Sequence, residues 1–343
     1  MSSITITDLS VTFADGTVGL DHVNIDVHPE EFVVLVGPSG SGKTTLLRTV
    51  AGFIAPSGGS LTIAGEDMTH VPPEKRRMGM VFQQHAVWPH MSVAGNVAYP
   101  LKRAGMDRAS ISRRVERALT LVGLDGFGRR KPASLSGGQR QRVALARAVV
   151  ADPTVLLLDE ALSALDEPLR DNLRRELVTL TRREGLTTVH VTHDRSEALS
   201  IADRVVVLDR GRVRQIAAPQ DLVARPATAG VAAFIADAAL LDATFDGAVT
   251  SGPLIWSPEE VDFVDEPSPA LTLAVLPSAV EVLPAGTPDA LPAQIRSALY
   301  DSGDWSVTLD AAGTVFRATV RGARPQVGDA ASIRIRRPLA YPA

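Results

Sequence analysis

Cysteine is absent from the 343-residue chain. Disulfide frameworks and thiolate metal or redox sites are therefore excluded, and the composition fits a reducing compartment. Lysine is scarce: the positive charge is almost all arginine, and the lysines are Lys43, Lys75, Lys102 and Lys131 alone. Excess charge is also missing. The formal net charge is -4, which lacks the basic footprint of a nucleic-acid binder. No apolar run approaches the ~20 residues that span a bilayer, and the longest candidate, 231–241, contains Asp237. Ser2 to Leu9 alternates polar and apolar residues like a strand, without a signal-peptide pattern. A chain of this kind that works at a membrane is expected to do so by docking on another protein.

What the chain does have is centred on Gly37-Pro38-Ser39-Gly40-Ser41-Gly42-Lys43-Thr44-Thr45. The apolar run 32–36 before it predicts a buried strand, and 46–50 after it predicts a helix. Strand, glycine loop and helix together make G-x-x-x-x-G-K-[ST] a P-loop. Its backbone N–H groups and the helix N-terminus form a concavity for phosphate. Lys43 is placed for the β- and γ-phosphates, and the Thr44 hydroxyl for Mg²⁺.

Further along, apolar strands deliver polar groups to their carboxyl ends, where α/β sheets bind ligands. Residues 78–82 end at Gln83, whose amide oxygen could meet Mg²⁺ or a water; a lone glutamine usually does neither. The continuous run Val155-Leu156-Leu157-Leu158 predicts a central parallel strand and delivers Asp159-Glu160. Asp159 is suited to hold hydrated Mg²⁺ and Glu160 to act as general base; an acidic turn is the plainer alternative. Residues 186–192 end at His193, within plausible reach of a γ-phosphate, although a lone histidine is more often structural.

Leu135-Ser136-Gly137-Gly138-Gln139 precedes a helix predicted over 140–151, which places Ser136 and the glycines at a second anion-binding helix N-terminus. A plain N-cap explains the serine but not two glycines and a glutamine in register. Phe13 ends the first strand before an Asp15-Gly16 turn; it could stack on a nucleotide base, but chemistry alone favours core. Trp88, before Pro89, reads equally as a partner surface or as a local cap on a helical subdomain. Residues 97–123 predict one helix, and 219–236 another. Beyond about residue 237 proline and short alternating strands predict an all-β barrel or sandwich. The expected organisation is an α/β P-loop NTPase over 1–237, with a helical subdomain at about 88–150, then an all-β domain over 238–343.

The order Gly37–Thr45, Gln83, Leu135–Gln139, Leu156–Glu160, Ser163-Ala164-Leu165-Asp166 and His193 resembles the ATP-binding subunit of an ABC transporter. The tail is similar in plan to the OB-like regulatory domain of maltose-, sulfate-, polyamine- and ferric-iron-type importers. The resemblance implies Walker A roles for Gly37, Gly40, Gly42, Lys43 and Thr44, with Pro38, Ser39, Ser41 and Thr45 in the same ATP-binding loop. Phe13 would stack on adenine, Gln83 would sense the γ-phosphate and meet Mg²⁺, and Ser136, Gly137, Gly138 and Gln139 would form the signature. Asp159 would hold Mg²⁺, Glu160 would be the catalytic glutamate, Asp166 the D-loop aspartate and His193 the switch histidine.

It further implies a homodimer that sandwiches ATP, with each signature facing the other copy's P-loop. Two membrane permease subunits would dock through Gln83 to Pro100, and an extracytoplasmic solute-binding protein would be engaged indirectly. The implied place is the cytoplasmic face of the inner membrane, held peripherally; the implied direction is import, of ferric iron, phosphonate or polyamine. The rival functions are a non-transport ABC ATPase and an ATP-binding regulator that does not hydrolyse. Two departures stand out: Ala161 where importers usually have proline, and Leu276-Pro277-Ser278 where relatives often have Arg-Pro-Glu.

Overall fold

The computed structural model describes residues 3–83, 86–162, 167–301 and 303–343. The elements in order are β1 (Ile4–Thr12), β2 (Val18–Val27), β3 (Phe32–Val36), α1 (Lys43–Ala51), β4 (Gly58–Ile63), β5 (Glu66–Asp67), β6 (Met78–Val81), α2 (Val93–Arg103), α3 (Arg108–Leu121), α4 (Gly137–Val149), β7 (Val155–Asp159), α5 (Glu167–Arg183), β8 (Thr187–Val191), α6 (Arg195–Ile201), β9 (Arg204–Asp209), β10 (Arg212–Ala217), α7 (Pro219–Ala224) and α8 (Ala229–Ala236). Eleven further strands follow: β11 (Ala239–Phe245), β12 (Val249–Ser251), β13 (Leu254–Trp256), β14 (Asp262–Phe263), β15 (Ala270–Val275), β16 (Val280–Pro284), β17 (Leu291–Asp301), β18 (Asp304–Ala311), β19 (Thr314–Val320), β20 (Ala330–Ile335) and β21 (Leu339–Pro342). The chain divides into two compact units, Met1–Pro219 and Gln220–Ala343.

In the first unit a six-stranded sheet runs in the order β10-β9-β3-β8-β7-β6. It is parallel apart from the β9–β10 hairpin. Strands β3, β7 and β8 are buried along their whole length, which is what covering both faces of a parallel sheet demands. An antiparallel sheet, β2-β1-β4-β5, shares its apolar face with α1: Leu9, Leu20, Val23, Leu46 and Leu47 lie in one core with Leu35, Leu157 and Val191. Helix α1 is fixed at its far end by Arg76, which donates to the carbonyls of Thr49 (2.8 Å), Val50 (2.5 Å) and Val71 (2.7 Å). A buried arginine thus satisfies carbonyls that a helix end leaves without partners.

The segment between β6 and β7 holds α2, α3 and α4 around a separate core of Val93, Val97, Leu101, Val115, Leu119, Val143 and Ala146. The single helix predicted over 97–123 is two. Gly105 turns at φ 73° and Asp107 caps α3 by accepting from Ser110 N–H, so an interruption lies where the apolar spacing alone suggests continuity. The helix predicted over 219–236 is likewise α7 and α8. Pro226 interrupts it, and the Thr228 side chain caps α8.

The second unit is all-β after α8, with sheets β13-β12-β11-β15-β21-β14 and β16-β20-β17-β18-β19. Leu273, Val307, Leu309, Phe316 and Ile333 fill its core. Tyr341 donates to the Pro226 carbonyl at 2.8 Å, and burial pushes its hydroxyl up to about 12. No helix among the described residues is long and apolar enough to cross a membrane.

Candidate nucleotide site

The glycine loop leaves the carboxyl end of β3 and enters α1 with Gly42 at φ 102°. A side chain there would meet the Gly19 carbonyl 2.6 Å away, so both the conformation and the space require glycine. Gly211 N–H, in the β9–β10 turn, donates to the Ser41 carbonyl at 3.0 Å and pins the loop. Pro38, Ser39 and Gly40 form its exposed crown, Ser41 and Lys43 are buried, and Thr44 and Thr45 are half-buried in the first turn of α1. Lys43 Nζ donates to the carbonyls of Gly37 (2.8 Å) and Pro38 (2.9 Å), and lies 3.3 Å from Ser41 Oγ. Burial pushes the Lys43 ammonium below its usual range, and the Glu160 carboxylate pulls it back. A buried cation held by two carbonyls and a hydroxyl at a helix N-terminus could receive a phosphate anion.

Phe13 follows β1 beside this loop and is 40% exposed, so it is not the core residue that its chemistry alone suggests. Gly19 lets it lie there: a Cβ on Gly19 would come within 2.7 Å of the Phe13 ring and 3.1 Å of Thr45 Cγ2. The ring therefore stands next to the first turn of α1 with an open face, where a base attached to a bound phosphate chain could stack.

Strand pairing assembles the rest. Asp159 is in register with Val191 on β8, and Glu160 N–H donates to the Val191 carbonyl at 3.0 Å. Glu160 itself sits at φ 45°, a left-handed conformation that costs a non-glycine residue about 1 kcal/mol or more. That turn aims its carboxylate across the sheet edge. Gln83 Nε2 donates to Glu160 Oε2 at 2.8 Å, and His193 Nδ1 stands 3.6 Å from the same oxygen. Three residues predicted from separate strands thus meet at one carboxylate.

Asp159 is buried. Burial raises its carboxyl pKa, Arg48 draws it back down, and the neighbouring Glu160 raises it again. A buried carboxylate with a like charge beside it suits a cation. The Thr44 hydroxyl and the Gln83 amide oxygen would add hard oxygen donors of the kind that Mg²⁺ takes.

Ser136 caps α4: its side chain accepts from Gln139 N–H at 3.2 Å, and Gln139 Oε1 accepts from Ser136 N–H at 3.0 Å. Gly137 and Gly138 form the first turn behind it. These bonds stay within the cap, and the structure does not bring it to Lys43. Asp166 and the rest of Ser163-Ala164-Leu165-Asp166 lie outside the described residues. Trp88 is half-buried; its ring lies 4.5 Å from Tyr99 and beneath the Arg147 guanidinium at 4.6 Å, and buried Asn96 clamps its backbone at 2.8 and 3.1 Å. The tryptophan fastens the loop onto α2 and α4, as the capping alternative expects.

Sequence reasoning passed over Thr192 and Glu197, which surround His193 with hydrogen bonds. Asp194-Arg195-Ser196-Glu197 has the spacing of a capping box, but that signal points to a helix start and not to the histidine beside it.

The model of the ABC transporter family matches residues 20–163. A spermidine/putrescine import ATP-binding protein of Marinobacter nauticus is 50% identical over 234 residues, covering 68% of this chain and 62% of the relative. A sulfate/thiosulfate import ATP-binding protein of Nocardia farcinica is 48% identical over 239 residues, covering 70% of this chain and 72% of the relative. The chain thus spans less than two thirds of the length of the Marinobacter relative. Among solved structures, the dimeric ABC transporter cassette MJ0796 aligns with a TM-score of 0.57 at 30% identity, covering 63% of this chain and 98% of that one. The same cassette in a post-hydrolysis state bound to ADP and Pi aligns with a TM-score of 0.56 at 31% identity, with the same coverage. By its family match, its relatives and its fold, the chain belongs to the ABC transporter family, as an ATP-binding cassette followed by an all-β unit.

Proposed function

We propose that the chain is the ATP-hydrolysing subunit of an importer. The observation that carries this reading is the convergence of Gln83 and His193 on one oxygen of Glu160, at the sheet edge that also carries the glycine loop. Lys43 would bind the β- and γ-phosphates, and Phe13 would hold the base. Glu160 would take the proton of the attacking water as general base, with Gln83 orienting that water and His193 steadying the γ-phosphate. Mg²⁺ held by Thr44, Asp159 and Gln83 would neutralise charge on the β- and γ-phosphates.

The exposed Ser136 cap suits a γ-phosphate presented by a second copy, so two chains would sandwich ATP, with Asp166 at the seam. The similarity to a dimeric cassette supports that pairing. Driving the pair from 1:99 open to 99:1 closed requires about 5.5 kcal/mol of preference of the closed form for ATP. Residues 83–100 would meet two permease subunits at the cytoplasmic face of the inner membrane, with a solute-binding protein engaged through them. Residues 238–343 would form an OB-like regulatory domain. The two relatives are named for spermidine/putrescine and sulfate/thiosulfate import, which makes polyamine the first cargo to test, ahead of ferric iron or phosphonate.

The test is phosphate release from ATP by the purified chain with Mg²⁺. Steady release that Lys43→Ala abolishes supports the reading. ATP binding without release would point instead to a non-hydrolysing regulator.

A further inference from the structure

The turn carrying His193 is closed by a ring of hydrogen bonds that passes around the histidine. Thr192 Oγ1 donates to Glu197 Oε2 at 2.5 Å and accepts from Asp194 N–H at 3.1 Å; Asp194 Oδ1 accepts from Glu197 N–H at 3.1 Å. His193 projects from the middle of this ring, 64% exposed at its side chain. Asp194 is the N-cap of α6 and Glu197 its third residue. In an ordinary capping box the carboxylate at that third position returns to the N-cap N–H. Here the Thr192 hydroxyl takes that donor, and the Glu197 carboxylate turns inward.

Its surroundings are unusual for a helix cap. The Glu197 side chain is 5% exposed, with Oε1 3.3 Å from His190 Nε2 and 4.0 Å from Arg174 Nε. Burial pushes the Glu197 carboxyl up, but His190, the Thr192 hydroxyl and Arg174 outweigh it and hold it at about 2. Asp194 in turn lies 3.8 Å from Arg170 and 4.0 Å from Arg174 on α5. Burying a carboxylate is expensive unless it is fully partnered, and capping α6 needs only Asp194.

We propose that Thr192 and Glu197 are positioning residues for His193, holding the 192–194 turn so that the imidazole faces Glu160. The inference rests on the ATPase reading of the site. Neither residue is placed to touch nucleotide. They act through the histidine, and a lost anchor lets the imidazole drift from the carboxylate 3.6 Å away.

The test is a double-mutant cycle in the full chain: Thr192→Val and Glu197→Gln, each with and without His193→Ala. ATP turnover is followed with enzyme in excess, so that slow rates stay readable, alongside ATP affinity and thermal midpoint. Thr192→Val keeps the shape of the side chain and removes the hydroxyl. It should lower kcat roughly tenfold or more, because small misplacements of catalytic groups are costly, and leave ATP affinity within about twofold, as loss of an interaction made only in the transition state requires. Thr192→Ser should restore turnover, and in the His193→Ala background Thr192→Val should add no further loss. If Thr192→Val does not fold, Glu197→Gln decides by the same criteria. Equal losses in both backgrounds, or unchanged kcat, would overturn the inference while leaving the ATPase reading intact. A wild-type chain that binds ATP and never releases phosphate would overturn both.

Discussion

Gln83 Nε2 donates to Glu160 Oε2 at 2.8 Å, which ties the end of β6 to the turn after β7. The two residues are 77 positions apart in sequence and are brought together because β6 and β7 pair in parallel, Val81 with Leu158. An amide N–H held on the carboxylate that would take the water's proton fixes where that carboxylate points. Gln83→Ala should therefore lower the rate of ATP hydrolysis. A hydrogen bond to a charged group is worth about 1.5–3 kcal/mol, or roughly ten- to a hundredfold in kcat. Steady-state kinetics at saturating ATP would read this, and an unchanged kcat would count against the placement of Gln83.

Asp159 makes the opposite trade between stability and function. Its folded-state pKa is raised, with burial the largest cause, so its ionised form costs stability at pH values above the ordinary carboxylate range. Asp159→Asn removes the buried charge and should raise the thermal midpoint of the nucleotide-free protein at pH 7. The same change should erase the extra stabilisation that Mg²⁺ adds to ATP in the wild type. Thermal unfolding with buffer, ATP and Mg²⁺–ATP would separate the two effects. A lowered midpoint in buffer, or an undiminished Mg²⁺ increment, would contradict this account.

Glu197 titrates with the other sign. Its carboxyl is held at about 2, against an ordinary 4.5. The stability it contributes is complete above the ordinary value and is lost as pH falls from about 4.5 towards 2. The size implied is about 3 kcal/mol at 1.36 kcal/mol per unit. Glu197→Gln lacks this titration, so the stability gap between wild type and variant should shrink by about that much over the same window. Chemical denaturation at a series of acidic pH values would measure it, and parallel curves for the two proteins would rule it out.

The sheet and its carboxyl edge were legible because the strands carry their own signal. Residues 155–158 are unbroken aliphatic, and the polar residues that follow are fixed in place by parallel pairing. Helix α5 gave no comparable signal: its mean composition is strongly polar, with Arg170, Arg174, Arg175, Arg182 and Arg183 along it. Among its described residues, Leu173, Leu177 and Leu180 are the buried aliphatic side chains. Strand β17 carries a weak signal for a related reason. Gln294, Arg296 and Ser297 interrupt its apolar residues, and a register shift between Ile295 and Ser297 breaks the alternation on which a period-two reading depends.

Among the candidate site residues, the motifs singled out the glycine loop, the Ser136 cap and the acidic pair, but not what surrounds His193. In sequence, Thr192, Asp194 and Glu197 read only as a helix start. Their arrangement depends on His190 arriving beneath them, buried against Phe32 at a ring separation of 6.3 Å. Such a network is a property of packing between strands, and no spacing in the sequence encodes it.

The central claim is that two copies close on ATP and that Glu160 ends the closed state by activating water. Glu160→Gln keeps the shape and the hydrogen-bonding reach of the side chain and removes the base. Light scattering of this variant with Mg²⁺ and ATP should give the mass of a dimer that persists, while the wild type returns to monomer as ATP is consumed. A variant that binds ATP and stays monomeric, or that hydrolyses it at the wild-type rate, would contradict the account.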